Sequence, residues 1–153
     1  MAVTTPQAGT LVEDLRGIFG NRLRAVAAYG VPREDDHVTC LALVASLDPA
    51  DLEACARRVQ GWHRHGLATP LILREGEFRR SLAAFPLEYS EIIRTHTHLY
   101  GVDPFAGLAI AADDLRRACE TQVKSHLLHL REEFIETGGR PQAIAELVRE
   151  SAP

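Results

Sequence analysis

His37-Val38-Thr39-Cys40-Leu41-Ala42-Leu43-Val44-Ala45-Ser46-Leu47 is the stretch that decides the fold. Its core, Cys40 to Ala45, is an unbroken apolar run and the best strand in the chain. A strand with one wet face alternates polar and apolar residues, so an unbroken run implies burial on both faces. Upstream, Leu23 to Tyr29 is a shorter apolar run and a second strand, although its alanines are weak strand formers. Gly30-Val31-Pro32 breaks it, and Arg33-Glu34-Asp35-Asp36 reads as a solvated turn between the two strands. Downstream, Asp48-Pro49 starts a helix, with an N-cap followed by proline at the first helical position. Leu52, Cys55, Ala56, Val59 and Trp62 form its apolar stripe, and Gly66 ends it.

Further out, Thr69 to Leu73 is a third strand and Glu77 to Ala84 a short helix closed by Phe85-Pro86. Leu87 to Thr95 reads as another strand, and Leu99-Tyr100-Gly101 as a short edge strand. Towards the N-terminus, Thr10 and Glu13 form a capping-box pattern that starts a helix at Leu11. Leu11, Leu15, Ile18 and Phe19 share a face of that helix, Gly20-Asn21 stops it, and residues 1–10 form a loose arm. After Asp103-Pro104 the period is helical throughout. Leu115, Cys119, Val123, Leu127, Leu130 and Phe134 step by three or four up to Gly138-Gly139, and Pro141 opens a last helix carrying Ile144, Leu147 and Val148. The expected class is α/β (α+β): a small mixed sheet covered by helices over 11–104, then a helical section over 105–153. The apolar face of the last helix needs a partner surface, on the domain, on a second copy or on further chain.

Composition narrows the function classes. The chain has 153 residues, 46% hydrophobic and 25% charged, ordinary values for one globular domain with at most a small appendage. Its net charge is −4 with no basic block, which argues against a nucleic-acid partner. Cys40, Cys55 and Cys119 show no metal-ligand spacing, and their odd number argues against a disulfide framework. No secretory pattern and no apolar run of about 20 residues is present, so a soluble, cytoplasmic protein without membrane contact is expected. Lys124 is the only lysine. This abundance of arginine reads as the mark of a GC-rich genome, with deliberate bidentate Arg chemistry as the alternative.

Several segments carry a family resemblance. They are Ala27-Ala28-Tyr29-Gly30, Thr39-Cys40-Leu41-Ala42-Leu43-Val44, Leu71-Ile72-Leu73, Glu77-Phe78, Phe85-Pro86-Leu87-Glu88 and Leu99-Tyr100-Gly101-Val102-Asp103-Pro104. In this order, over about Leu11 to Phe134, the chain resembles the nucleotidyltransferase-fold superfamily, the DNA polymerase beta-like group. The resemblance implies a Gly-Ser turn that cradles nucleotide phosphates, here Gly30 and Val31, with Arg33 beside them as a ligand-binding candidate. It also implies two aspartates at alternate positions of the next strand, where they share a face and hold Mg²⁺. Those positions fall on Cys40 and Ala42, and no Asp or Glu lies between Val38 and Leu47 or within Thr69 to Leu73. A thiol and a methyl do not replace hard oxygen ligands. The implied protein is a degenerate member with no catalytic residues and no cofactor, acting as a nucleotide-binding, small-ligand-binding or protein-interaction module. The alternative is an active Mg²⁺-dependent nucleotidyltransferase with relocated carboxylates from Glu34, Asp35, Asp36 or Glu88.

Other candidates are weaker. His96 and His98 form an HxH pair that an extended segment would place on one face, as Zn²⁺ requires. His63 and His65 cannot share a helical face, whereas His126 and His129 can. All three cysteines read as small core residues, and Trp62 as a core residue with base stacking as the alternative. The pairs Arg57-Arg58, Arg79-Arg80 and Arg116-Arg117 read as solvated helix faces, with phosphate or acidic-partner contact as the alternative. The expected partners are a nucleotide or small molecule, and a protein partner or second copy at the C-terminal helices.

Overall fold

The computed structural model describes residues 5–30 and 37–151. Its sheet is built on β1 (Leu23–Tyr29), three of whose seven residues are alanine. Propensity does not explain that strand, but position does. β1 pairs antiparallel with β2 (Thr39–Val44) on one side and with β4 (Thr97–Gly101) on the other. β3 (Leu71–Arg74) adds in parallel to the outer edge of β2, giving the order β3-β2-β1-β4. β2 is shorter than expected at both ends, and β3 starts at Leu71 rather than Thr69.

Helices cover both faces, which is why β1 and β2 lack polar alternation. Val26, Ala28, Cys40, Ala42 and Val44 face α1 (Thr5–Phe19), α2 (Pro49–Ala56) and α3 (Val59–Arg64), against Leu11, Leu15, Cys55 and Trp62. Ala25, Ala27, Leu41 and Leu43 face α4 (Glu75–Ala84), α5 (Pro86–Thr95) and Phe105, against Phe78, Tyr89 and Ile92.

Three expectations are corrected. The first helix starts by Thr5, so Thr10 lies inside α1 rather than at its cap, and residues 5–10 are helical rather than a loose arm. The helix expected from Asp48 to Gly66 is two helices, with the turn tightening where the Arg58 N–H bonds the Cys55 carbonyl three residues back (2.9 Å). Leu87 to Thr95 is helix, not strand. Pro86 opens α5, and Pro86, Tyr89 and Ile92 recur every three residues on its buried face. The Tyr89 hydroxyl meets Ser81 Oγ at 2.6 Å, tying α5 to α4. The β-favouring Tyr, Ile and Thr residues of this segment hide the helical period.

A bidentate ion pair locks Arg22, the residue just before β1, to the α2 entry. Both Arg22 terminal nitrogens donate to Asp51 at 2.7 Å, and the Asp48 N–H donates to Asp51 Oδ2 at 2.9 Å. The chain divides into two units, Met1–Ile110 and Ala111–Pro153. The second unit contains α6 (Ala112–Glu136) and α7 (Pro141–Ser151), joined through Gly138 and Gly139, both at positive φ. Among the described residues no helix is long and apolar enough to cross a membrane.

Candidate functional site

The turn that ends β1 begins at Gly30, whose φ of +88° is a left-handed conformation that glycine adopts without a Cβ penalty. Val31, Arg33, Glu34, Asp35 and Asp36 lie outside the described residues. Beside this turn, the register places Cys40 opposite Ala28 and Ala42 opposite Val26. Cys40, Ala42, Val26 and Ala28 point to one side, and none is more than 1% exposed. Burial pushes the Cys40 thiol up to about 11, so it stays a neutral S–H at physiological pH. β3 contributes Leu71, Ile72, Leu73 and Arg74, with no carboxylate. The first acidic residues after it are already engaged. Glu75 lies 3.9 Å from Arg24, and Glu77 accepts from the Arg74 N–H at 2.9 Å and from the Arg74 guanidinium at 2.5 Å. Those bonds hold the Glu77 carboxyl down at about 2. Glu88 is exposed on α5, which covers the sheet face opposite to Cys40 and Ala42.

The remaining sequence candidates disperse. His96 caps the C-terminus of α5, and its ring meets Ile93 O at 2.9 Å, Asp103 Oδ2 at 3.2 Å and, tilted by 54°, the ring of Phe105. His98 is exposed on β4. Among the described residues no group of three or more His, Cys, Asp or Glu is placed to hold a metal ion. Cys40 and Cys55 are buried, whereas Cys119 is exposed on α6, a correction to its expected core role. Trp62 is 1% exposed, and its indole N–H donates to Asp14 Oδ2 at 2.9 Å, so its ring presents no face for stacking a base. Arg58 reaches Asp14 at 3.4 Å, Arg116 pairs with Asp113 and Glu120, and Arg117 pairs with Asp114. The Arg116 and Arg117 pairs are local to the α6 surface and worth little each, whereas Arg58–Asp14 links α3's N-terminus to α1.

Sequence reasoning missed one feature. A cleft of about 320 Å³ opens on the α4 face of the sheet, lined by Ala25, Leu43, Phe78 and Leu82, with Arg24, Glu75 and Arg79 at its rim. Its residues come from four separate elements, so no local pattern marks it.

No protein-family model and no curated protein matches the sequence. Among solved structures, the chain is similar to spectinomycin adenyltransferase AAD(9) from Enterococcus faecialis, solved with ATP and spectinomycin. The TM-score is 0.57 at 17% identity, over 99% of this chain and 84% of that one. The chain has the nucleotidyltransferase fold. A structure of the tri-AMPylated HEPN toxin of Shewanella oneidensis with MNT antitoxin is also similar, at a TM-score of 0.45 and 14% identity, over 90% of this chain and 100% of that chain. Cys40 and Ala42 present a buried thiol and a buried methyl on β2, and neither offers the oxygen ligand that a hard cation such as Mg²⁺ takes.

Proposed function

We propose that this chain is a catalytically inactive nucleotidyltransferase-fold module that acts by binding. The observation that carries the reading is the complete burial of Cys40 and Ala42 in a packed apolar layer. Paired carboxylates at those positions would bridge metal to phosphate and stabilise the charge that develops in phosphoryl chemistry. Apolar side chains there remove that term, and the neighbouring helices leave no open space beside them.

The ligand class to try first is a nucleotide at the Gly30 turn. The turn keeps its left-handed glycine, and AAD(9) was solved with ATP on the same fold. The test is a thermal-shift panel of the four nucleoside triphosphates, each with and without Mg²⁺, with pyrophosphate release followed in parallel. A ligand that binds only the native state raises Tm by mass action. The expected result is a shift that Mg²⁺ does not change and no pyrophosphate. Mg²⁺-dependent pyrophosphate release would establish the alternative, an active nucleotidyltransferase with carboxylates from Glu34 to Asp36 or Glu88.

A second reading is favoured by the helical unit. α6 buries none of its residues, and α6 and α7 together form an apolar groove of about 520 Å³ lined by Leu130, Phe134, Ile135 and Ile144. This suits a protein partner or a second copy of the chain. No thermal shift with any nucleotide, together with a concentration-dependent mass in light scattering, would move the function to this surface.

A further inference from the structure

We propose that the cleft on the α4 face is a binding site for a small monocarboxylate with an apolar body. It is separate from the Gly30 turn. Ala25 at its floor and Tyr29 beside the turn are four strand residues apart, about 13 Å at the rise of a strand. The cleft therefore opens at the other end of the sheet, on the other face from Cys40 and Ala42.

Two sequence features create the space. Residue 25 is alanine, so β1 offers only a methyl opposite Phe78. Gly101 sits at φ +79°, and a Cβ there would lie 1.9 Å from the Arg24 carbonyl oxygen. Glycine thus lets the chain leave β4 tight against β1, and the segment that follows, through Pro104 to Leu108, forms the far wall. The volume of about 320 Å³ is at the small end of ligand pockets.

The floor is apolar and offers a sugar-like ligand few partners, whereas the rim is charged. Arg24 and Arg79 face a single carboxylate, Glu75. Arg24 is half-exposed and shares Glu75 at 3.9 Å. Among the described residues Arg79 has no ion-pair partner. The rim therefore carries one uncompensated positive charge above an apolar floor. Guanidinium groups take a carboxylate through paired N–H donors, so a monoanion with a flat or branched apolar body matches both halves of the site. This inference stands apart from the inactive-module reading, because it uses neither the Gly30 turn nor the β2 positions.

The test is a two-dimensional NMR titration of the full ¹⁵N-labelled chain with 2-naphthoate, and with neutral 2-naphthamide as the comparison. The expected result is saturable movement of the Phe78, Gly101 and Val102 amides, with the amide ligand binding about fivefold more weakly. Arg79→Gln should cost about threefold to fivefold in affinity and Arg79→Glu about tenfold, with spectra otherwise unchanged because Arg79 is exposed. The proposal is overturned by an absence of saturable shifts at those amides, by shifts confined to α6 and α7, by equal binding of acid and amide, or by full affinity in Arg79→Glu.

Discussion

The two faces of the sheet start from similar material and close differently. Both are apolar, both present alanines from β1, and each is covered by helices. Around Cys40 and Ala42 the first face is filled to the strand. Trp62, Leu11 and Leu15 are at most 1% exposed and press onto it, and the Trp62 N–H is satisfied by Asp14. On the opposite face Phe78 meets Tyr89 and Phe105 edge to face, each at a ring-centroid distance of 5.7 Å, and the layer stays open beside Ala25. The difference lies in where the bulk stands. A buried indole from α3 reaches one face, while on the other the aromatic cluster leaves one end uncovered. Around Cys40 and Ala42 this chain is core, while an apolar cleft borders the opposite face.

The largest expected effect comes from forcing charge back onto the closed face. Ala42→Asp buries a carboxylate with no partner and should cost at least about 4 kcal/mol in urea unfolding, with no Mg²⁺-dependent recovery. Recovery of stability on adding Mg²⁺ would mean the β2 position can still reach solvent and metal.

Next come the two aromatic anchors, which measure the contrast directly. Trp62→Ala removes the largest buried side chain and leaves Asp14 with Arg58 alone, so about 4–5 kcal/mol should be lost. Phe78→Ala empties a site that already borders the cleft, and about 3 kcal/mol is expected. Equal losses in the two variants would show that the faces are packed alike.

The smallest expected effect is a pH response of the helix entries, one on each face. Asp51 at α2 is held below its usual value by the Arg22 hydrogen bonds and the Asp48 N–H. Glu77 at α4 is held at about 2 by Arg74, against an ordinary 4.5. Both folded-state values lie below those of the unfolded chain, so each carboxylate stabilises the fold above its unfolded pKa. That stability is lost as pH falls through the folded value, which for Glu77 spans the window from 4.5 down to about 2. Because Glu77 is the more exposed of the two, its contribution should fade with added salt, while that of Asp51, whose side chain is 10% exposed, should persist. An equal fall in melting temperature from pH 5 to 2.5 in Asp51→Asn and the parent chain would refute a role for the Arg22–Asp51 lock.

Much of the architecture is legible in the residues. The apolar run Cys40 to Ala45, the Asp48-Pro49 helix start, and the stepping of Leu115 to Phe134 each point to the element that forms, because periodicity and capping are local. Local cues mislead where tertiary packing overrides them. The segment Leu87 to Thr95 is rich in strand formers yet folds as a helix, because Pro86, Tyr89 and Ile92 find a core on one side. The capping pattern at Thr10 is passed over because Ala8 already packs at 2% exposure.

The absence of carboxylates from the strand centred on Cys40 and Ala42 is a property of the sequence by itself, and so is the glycine at residue 30. Ligand chemistry depends on which atoms a side chain carries, and no arrangement of the chain gives a thiol and a methyl the oxygens of two aspartates. Which face is filled and which is open was decided only by the tertiary structure. Arg24, Leu43, Phe78, Arg79 and Leu108 are scattered along the chain and meet only when β1, β2, α4 and the segment after Gly101 are assembled. A cleft is the volume that packed elements fail to fill, so no single stretch of sequence encodes it.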